Sequence, residues 1–477
     1  MKVVLANVPR FGKKSFAEKF SNIDGGGIPN LAVPYMIAYQ EKYGDTKVDW
    51  YVKEFRLENK TPLEASKEIE KIDPDVVGFS GYTQEINDVY NFSQLIGATM
   101  PETIRILGGY HATVLPEEAL DKGFDVVFRG ESFESLKDFI DELNAAENIS
   151  GVDLSKIRGI SYKENGTKVH NELMDLIDIN NLPYPAWDKC PTDLYTFSKG
   201  HGFMMSSFGC NMNCTFCQFP PGDEKRKHRR HRVMEPQKVV DHMRYLKRKF
   251  PNLENMIIID DDFFEPEERA MEIFDLKHDD KYASGLKLHT TSRAEHISKN
   301  GVKNQILLDK MKKGLVKTNF IGVETSNKHI LKKFYNKGEK WEDIKKAIRF
   351  CNEEGIDVYA SMIISPWDRF KDYLRTSYSC RHASIFQAPQ LTPYPGTILF
   401  EREKEKILSF NWRNYDGAHP LIRGDSVEPK QIKKQIKKSR INQVMFNFYV
   451  NFGPSQIFRN PGNTYIKFEK TIKAIFD

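Results

Sequence analysis

The sequence predicts an α/β fold: a doubly wound, Rossmann-like parallel sheet, then six βα units, then a small α-rich C-terminal region. Short β-rich apolar runs alternate with helical patterns through the first part, and the rhythm breaks at a proline-bearing connection. It resumes near Phe203 and stops near residue 400. The expected divisions are 1–145 for the sheet domain, 146–198 for a linker with a small hairpin, 199–400 for the βα array and 401–477 for a capping or substrate-facing region.

The strands expected in the first part are Val3–Asn7, Val48–Glu54, Val76–Phe79, Ile104–Leu107 and Val126–Phe128. After them, Phe133, Leu136, Phe139, Ile140 and Leu143 share one helical face that would pack on the sheet. Open parallel sheets bind ligands at the carboxyl ends of their strands. The residues there are Pro9-Arg10, Ser80-Gly81-Tyr82-Thr83, Gly108-Gly109-Tyr110-His111 and Arg129-Gly130-Glu131. Paired glycines let a large flat ligand approach the backbone, although they also serve plain turns. In the linker, Glu164-Asn165-Gly166 is a hairpin turn signal, and Leu182-Pro-Tyr-Pro-Ala-Trp187 ends the connection.

The second part has strand candidates Phe203–Ser207, Met256–Ile259, Leu286–Thr290, Asn319–Val323, Val358–Ile364 and Ile385–Leu391. Six βα units fit a partial barrel as well as another open sheet, and periodicity does not choose between them. The tail is aromatic and basic; Ile432, Ile436, Val444 and Phe448 have helical spacing within Gln431–Phe448.

The 71 Lys and Arg exceed the 66 Asp and Glu by only +5, so general attraction to nucleic acid is not indicated. The one basic run, Lys225 to Arg232, reads as a solvated loop or an attractor for an anionic group, and it lacks the interleaved aromatics of a nucleic-acid platform. No apolar run approaches the ~18–20 residues of a membrane span, and MKVVLANVPR reads as an opening strand. A cytoplasmic protein with reduced thiols is therefore expected, and clustered cysteines there bind metal or do redox chemistry.

Three of the six cysteines fall in GCNMNCTFC, as Cys210, Cys214 and Cys217. A CxxxCxxC loop after a strand can wrap one corner of a cubane. Tetrahedral zinc would need a fourth ligand, with His201, His228 and His231 the nearby choices. A cluster held by three thiolates instead leaves one iron open. Cys351 follows Ile344 and Ile348 at helical spacing, which predicts a core thiol, while Cys190 and Cys380 have no assigned role.

This motif, with Phe216 in its last gap at the head of a βα array, resembles the radical S-adenosylmethionine (SAM) superfamily. The resemblance implies a partial (β/α)6 barrel, a 4Fe–4S cluster on the three cysteines, and SAM on the open iron. Downstream, Asp260-Asp261-Asp262-Phe263 resembles the DDxF segment near the SAM amino group, Thr291-Ser292-Arg293-Ala294 the SAM-contacting polar pair, and Gly322-Val323-Glu324-Thr325 the GxES segment. HILKKFYNKG resembles the helix that follows. The SAM-binding set so implied is Phe216, Asp260, Asp261, Ser292, Arg293 and Glu324.

The segments DVVGFSGYT, RILGGYHATVLPEEAL and VVFRGE resemble the cobalamin-binding domain of the class B radical SAM methyltransferases, as do Thr392-Pro-Tyr-Pro-Gly-Thr397 and Trp412-Arg-Asn-Tyr415-Asp416-Gly417. The implied cobalamin set is Ser80, Tyr82, Thr83, Gly108, Gly109, Tyr110, Gly130 and Glu131. Two departures stand out. The first loop, Asn7 to Gly12, lacks the cobalt-ligating histidine of many cobalamin domains, which leaves Tyr82 or Thr83 as the residue expected nearest cobalt. Ile363-Ile364-Ser365-Pro366-Trp367-Asp368 replaces the glycine-rich GFPGET turn, and Trp367 there either stacks on a ligand or packs.

The family resemblance implies a C-methyltransferase acting on an unactivated carbon through a deoxyadenosyl radical and methylcobalamin. It also implies an external electron donor such as flavodoxin or ferredoxin. The rival expectations are an oxidative cyclase or rearrangement enzyme with the same cofactors, an enzyme without cobalamin, and a non-catalytic metal or ligand sensor. The substrate stays open among peptide, lipid, tetrapyrrole and small natural product.

Overall fold

A computed structural model describes residues 1–11, 27–146, 148–218 and 231–424. The chain forms two compact units: Met1–Lys199 with Asn411–Arg413, and Gly200–Phe410 with the chain from Asn414 onward.

The first unit is built on strands β1 (Lys2–Asn7), β2 (Asp49–Glu54), β3 (Val76–Ser80), β4 (Ile104–Gly108), β5 (Val126–Phe128), β6 (Ile160–Glu164) and β7 (Thr167–His170). Their order in the sheet is β2-β1-β3-β4-β5-β6-β7, parallel through β5. Winding therefore reverses between β1 and β3, which opens a crevice at the carboxyl ends of those strands. The helices are α1 (Ala32–Tyr43), α2 (Pro62–Ile72), α3 (Ile86–Thr99), α4 (Tyr110–Val114), α5 (Pro116–Asp121) and α6 (Phe133–Ala146). Local chemistry sets their ends: Thr61 and Glu64 close a capping box on α2, and Asp73 turns left-handed to end it. Phe139 and Ile140 of α6 pack with Val3, Val76 and Ile160 in one core, as the helical spacing predicts.

The hairpin expected in the linker forms, with Asn165 and Gly166 both at positive φ, the geometry of a tight two-residue turn. It is part of the sheet: β6 pairs antiparallel with β5, and Arg129 Nη2 donates to the Ile160 carbonyl at 3.0 Å.

The second unit carries β8 (His201–Met204), β9 (Asn255–Ile258), β10 (Lys287–Ser292), β11 (Val316–Glu324), β12 (Asp357–Met362) and β13 (Ile385–Gln387). They form one parallel sheet in strict sequence order, from β13 back to β8. Right-handed crossovers that always step the same way put every helix on one face, the winding of a barrel and not of a doubly wound sheet. Those helices are α7 (Pro236–Lys249), α8 (Glu267–Asp279), α9 (Ala294–Ile297), α10 (Gln305–Lys313), α11 (Trp341–Glu353), α12 (Phe370–Ser379) and α13 (Ile398–Glu403).

Four strands stop earlier than expected, β9 by one residue at Ile258, β12 by two at Met362, and β8 and β13 by more. β8 ends at Met204 because Ser206 and Ser207 give their amides to the Asp260 carboxylate. β13 ends at Gln387 because Pro389 cannot donate to a ladder, and only a single bridge, Ile364 to Gln390, follows. Cys351 is fully buried on α11 beside Ile344 and Ile348, and Cys380 is buried at the end of α12. His228, most of the basic run and the expected helix Gln431–Phe448 lie outside the described residues. Among the described residues no helix is long and apolar enough to cross a membrane.

Candidate functional site

The cysteine loop follows β8 and lies on one short platform, Phe334 to Glu339. The Thr215 amide donates to the Tyr335 carbonyl at 2.9 Å, the Thr215 hydroxyl bonds the Phe334 carbonyl, and Asn336 Nδ2 donates to the Asn213 carbonyl at 3.0 Å. Ile330–Phe334, expected as ordinary helix, is a π-helical turn, a form that recurs at functional sites. Phe216 meets the Tyr335 ring edge-on at 5.1 Å, within an apolar cluster of Ile330, Ile363, Leu391 and Leu399.

None of the six cysteines forms a disulfide, and burial pushes the Cys214 thiol up to about 11 although the charge of Lys337 opposes the shift. Buried thiols of this kind need a positive centre to ionise, which fits iron. Among the described residues, only Asp262, Glu265 and His296 bring their ligand atoms within 4.8 Å of one another.

Carboxylates from the next strand ends gather near this loop. Asp260 is buried and committed: it accepts from the Ser206 amide at 2.7 Å, the Ser206 hydroxyl at 2.5 Å and the Ser207 amide at 3.0 Å. Arg269 Nη2 donates to the Ser206 carbonyl at 2.7 Å on the other side. Asp260 therefore pins the base of the cysteine loop. Asp261 is exposed at the strand end, and its carboxyl is raised to about 6 by the low-polarity surroundings and by repulsion from Asp260 and Asp262.

Ser292 is buried and accepts from Asn319 Nδ2 at 2.7 Å, so its hydroxyl is also held by the protein. Arg293 donates to Asp262 at 2.8 Å and to Glu265 at 3.1 Å, and its Nη1 touches Met212 Sδ of the cysteine loop at 3.0 Å. The guanidinium thus lies against the acidic group that would otherwise suit a cation. Behind it, His296 is set between Asp262 at 3.1 Å and Glu267 at 2.9 Å. Burial opposes its charge, but these carboxylates prevail and raise it to about 9.

Glu324 ends β11 in the left-handed region, at φ 58°, a conformation that costs a non-glycine residue about 1–3 kcal/mol. Lys337 steadies it, donating to Glu324 Oε1 at 2.8 Å and to the Gly322 carbonyl at 2.7 Å. A Cβ at Gly322 would displace this pair, standing 2.5 Å from Glu324 Oε1 and 2.7 Å from Lys337 Nζ. Trp367, in the departing turn, stacks on Phe334 at 4.6 Å and so packs. Asp368 beside it takes hydrogen bonds from Thr325 and Ser365, both at 2.6 Å. Lys337, Glu339, Asp262 and His296 were missed as site residues; the Asn336-Lys337-Gly338 run and the third aspartate of Asp260-Asp261-Asp262 were their only sequence signals.

In the first unit the strand-end loops supply the cradle a flat cofactor needs. Gly109 has φ 95° and ψ −178°, a region open essentially to glycine, and a Cβ there would meet Ser80 Oγ at 2.8 Å. Gly130, also at positive φ, faces open space. Ser80 is exposed, and Gly108, Tyr110 and Glu131 are half-buried. Tyr82 is 62 % exposed, whereas Thr83 is buried with its hydroxyl 3.2 Å from His111 Nδ1. Of the two residues expected near cobalt, only Tyr82 reaches out of the loop. His111 is fully buried, packs against the Trp412 ring at 5.2 Å, and is lowered by burial to about 4.

Residues 204–375 match the radical SAM superfamily and residues 28–140 match the B12 binding domain. An uncharacterized methyltransferase of Pyrococcus horikoshii is 28 % identical over 429 residues, covering 87 % of each chain. The hopanoid C-3 methylase of Methylococcus capsulatus is 24 % identical over 378 residues, 75 % of this chain and 66 % of that protein. The cobalamin-dependent SAM radical enzyme OxsB, solved with aqua-cobalamin and SAM bound, shares the fold with a TM-score of 0.72 at 18 % identity, covering 99 % of this chain and 72 % of that one. The chain thus carries a B12 binding domain followed by a domain of the radical SAM superfamily, and it shares its fold with a cobalamin-dependent SAM radical enzyme.

Proposed function

We propose that the protein is a C-methyltransferase acting on an unactivated carbon. The observation that supports this best is a CxxxCxxC loop in the domain that matches the radical SAM superfamily, in a chain whose residues 28–140 match the B12 binding domain. When bound, the 4Fe–4S cluster and SAM supply one-electron chemistry and cobalamin supplies methyl transfer. Cys210, Cys214 and Cys217 would hold the cluster. Glu324 and Asp261 offer carboxylates for the SAM ammonium, and the apolar wall of Phe216, Tyr335 and Ile363 excludes water. Asp260 and Ser292 act on that site through the backbone they anchor. Ser80, Tyr82, Gly108, Gly109, Tyr110, Gly130 and Glu131 would line the cobalamin site, with Thr83 supporting it from within.

Reduction requires an external one-electron donor of the flavodoxin or ferredoxin class, and six cysteines without a disulfide suit a reducing cytoplasm. The test is anaerobic reconstitution with iron, sulfide and cobalamin, followed by methyl-labelled SAM. Retained cobalamin absorbance, deoxyadenosine formation and labelled methyl in product are expected, with Cys214→Ala abolishing SAM cleavage. Cleavage without movement of label would overturn methyl transfer.

A further inference from the structure

Lys337 is a largely buried cation of the second unit's site, held between two carboxylates. Besides Glu324 and the Gly322 carbonyl, its Nζ pairs with Glu339 Oε2 at 3.2 Å, and the Lys337, Glu324 and Glu339 side chains are 10, 9 and 0 % exposed. Glu339 turns its other oxygen onto the backbone amides of Ala294 and Glu295, the first turn after Arg293. One side of the platform therefore grips the ends of β10 and β11. The other side grips the cysteine loop through Tyr335 and Asn336, and at Gly338 a Cβ would stand 2.9 Å from Met212 Cε. Lys337 directly follows Asn336, whose side-chain amide holds the Asn213 carbonyl next to Cys214.

We propose that Lys337 is a positioning residue whose fixed charge orients the Glu324 carboxylate toward the SAM ammonium and makes the cluster easier to reduce. The inference rests on the cluster assignment above. A buried ammonium beside a thiolate-bound cluster stabilises the added electron, because the local dielectric is low and no water competes. The electron comes from the external donor, and no proton or bond needs to move. Lys337 also spans the strained turn, binding the residue two before Glu324 and Glu324 itself.

The experiment uses the full chain reconstituted anaerobically with iron and sulfide, without cobalamin or substrate. Iron content, an EPR-monitored redox titration and the EPR change on adding SAM are measured for wild type, Lys337→Met and Lys337→Arg. Lys337→Met should hold its cluster, reduce at a more negative potential and bind SAM at least tenfold more weakly, and Lys337→Arg should recover most of both. If Lys337→Met takes up no iron, the double variant Lys337→Met/Glu339→Gln decides, since it removes one charge of each sign and keeps an acceptor for Ala294; a smaller shift of potential in the same direction and the same loss of SAM affinity are expected. An unchanged potential and SAM affinity in an iron-loaded variant overturns the proposal. So does failure of both variants to fold, which would make Lys337 a folding residue only. A wild-type chain that takes up no iron overturns the cluster assignment and this proposal with it, whereas an intact cluster without methyl transfer overturns only the proposed reaction.

Discussion

Replacing Asp260 with alanine separates a loop anchor from a ligand contact. The substitution deletes the acceptor of the Ser206 amide, the Ser206 hydroxyl and the Ser207 amide, all inside the second unit. It also removes the carboxylate nearest Arg269, which donates to the Ser206 and Met234 carbonyls at 2.7 and 2.8 Å. Hydrogen bonds to a charged group are worth ~1.5–3 kcal/mol each, but these share one carboxylate and do not add. Breaking a buried charged network typically costs ~3–5 kcal/mol. At ~2–4 °C per kcal/mol for a unit of this size, the melting transition should fall by roughly 6–20 °C. Anaerobic thermal melting of the apo chain, with iron content after reconstitution, is the assay. Asp261→Ala is the control: it removes a carboxylate that Asp260 and Asp262 repel, so the melting transition should not fall at neutral pH while SAM affinity does. If Asp260→Ala melts within about 2 °C of wild type and loses only SAM binding, Asp260 is a ligand residue and the anchoring argument is wrong.

Three other outcomes follow from the geometry. His296 has a folded pKa of about 9, above its unfolded value, so its contribution is complete below about pH 6.5 and is lost as pH rises through 9. The full effect is on the order of 3 kcal/mol, and His296→Gln should flatten the stability profile between pH 7 and 9 in urea titrations. His111 behaves oppositely: burial holds it near 4, so the first unit should lose stability as pH falls from about 6.5 toward 4, and His111→Gln should remove that slope. Gly109→Ala puts a Cβ 2.8 Å from Ser80 Oγ in a backbone region closed to alanine; it should cost ~1–3 kcal/mol and abolish cobalamin retention, read by absorbance after gel filtration.

Much of the site was legible because it is written in contiguous runs. Cys210, Cys214 and Cys217 lie within one loop, Gly322 and Glu324 are two residues apart, and Gly108-Gly109 marks its own backbone need. The roles of Asp260 and Lys337 were not legible. Asp260 is in a recognisable aspartate run, but its partners Ser206 and Ser207 are more than fifty residues away and belong to a strand expected to continue through them. Lys337 stands thirteen residues from Glu324, with a π-helical turn between them that no helical periodicity reveals. Residues Asn411–Arg413 show the same limit: Trp412 Nε1 donates to Glu118 at 2.9 Å and Arg413 pairs with Asp88, so this tripeptide packs with the first unit.

The sequence by itself determined where the cysteine loop and the glycine-bearing strand ends lie and the alternation of strands and helices, because thiol spacing, turn residues and apolar period act over a few neighbouring residues. Tertiary structure alone decided three things. The second sheet winds in one direction as a barrel, the 160–170 hairpin extends the first sheet, and the strand-end carboxylates divide into anchors and available ligands. Each of these depends on which distant backbone amide or ammonium reaches a buried group first, and only the folded packing sets that.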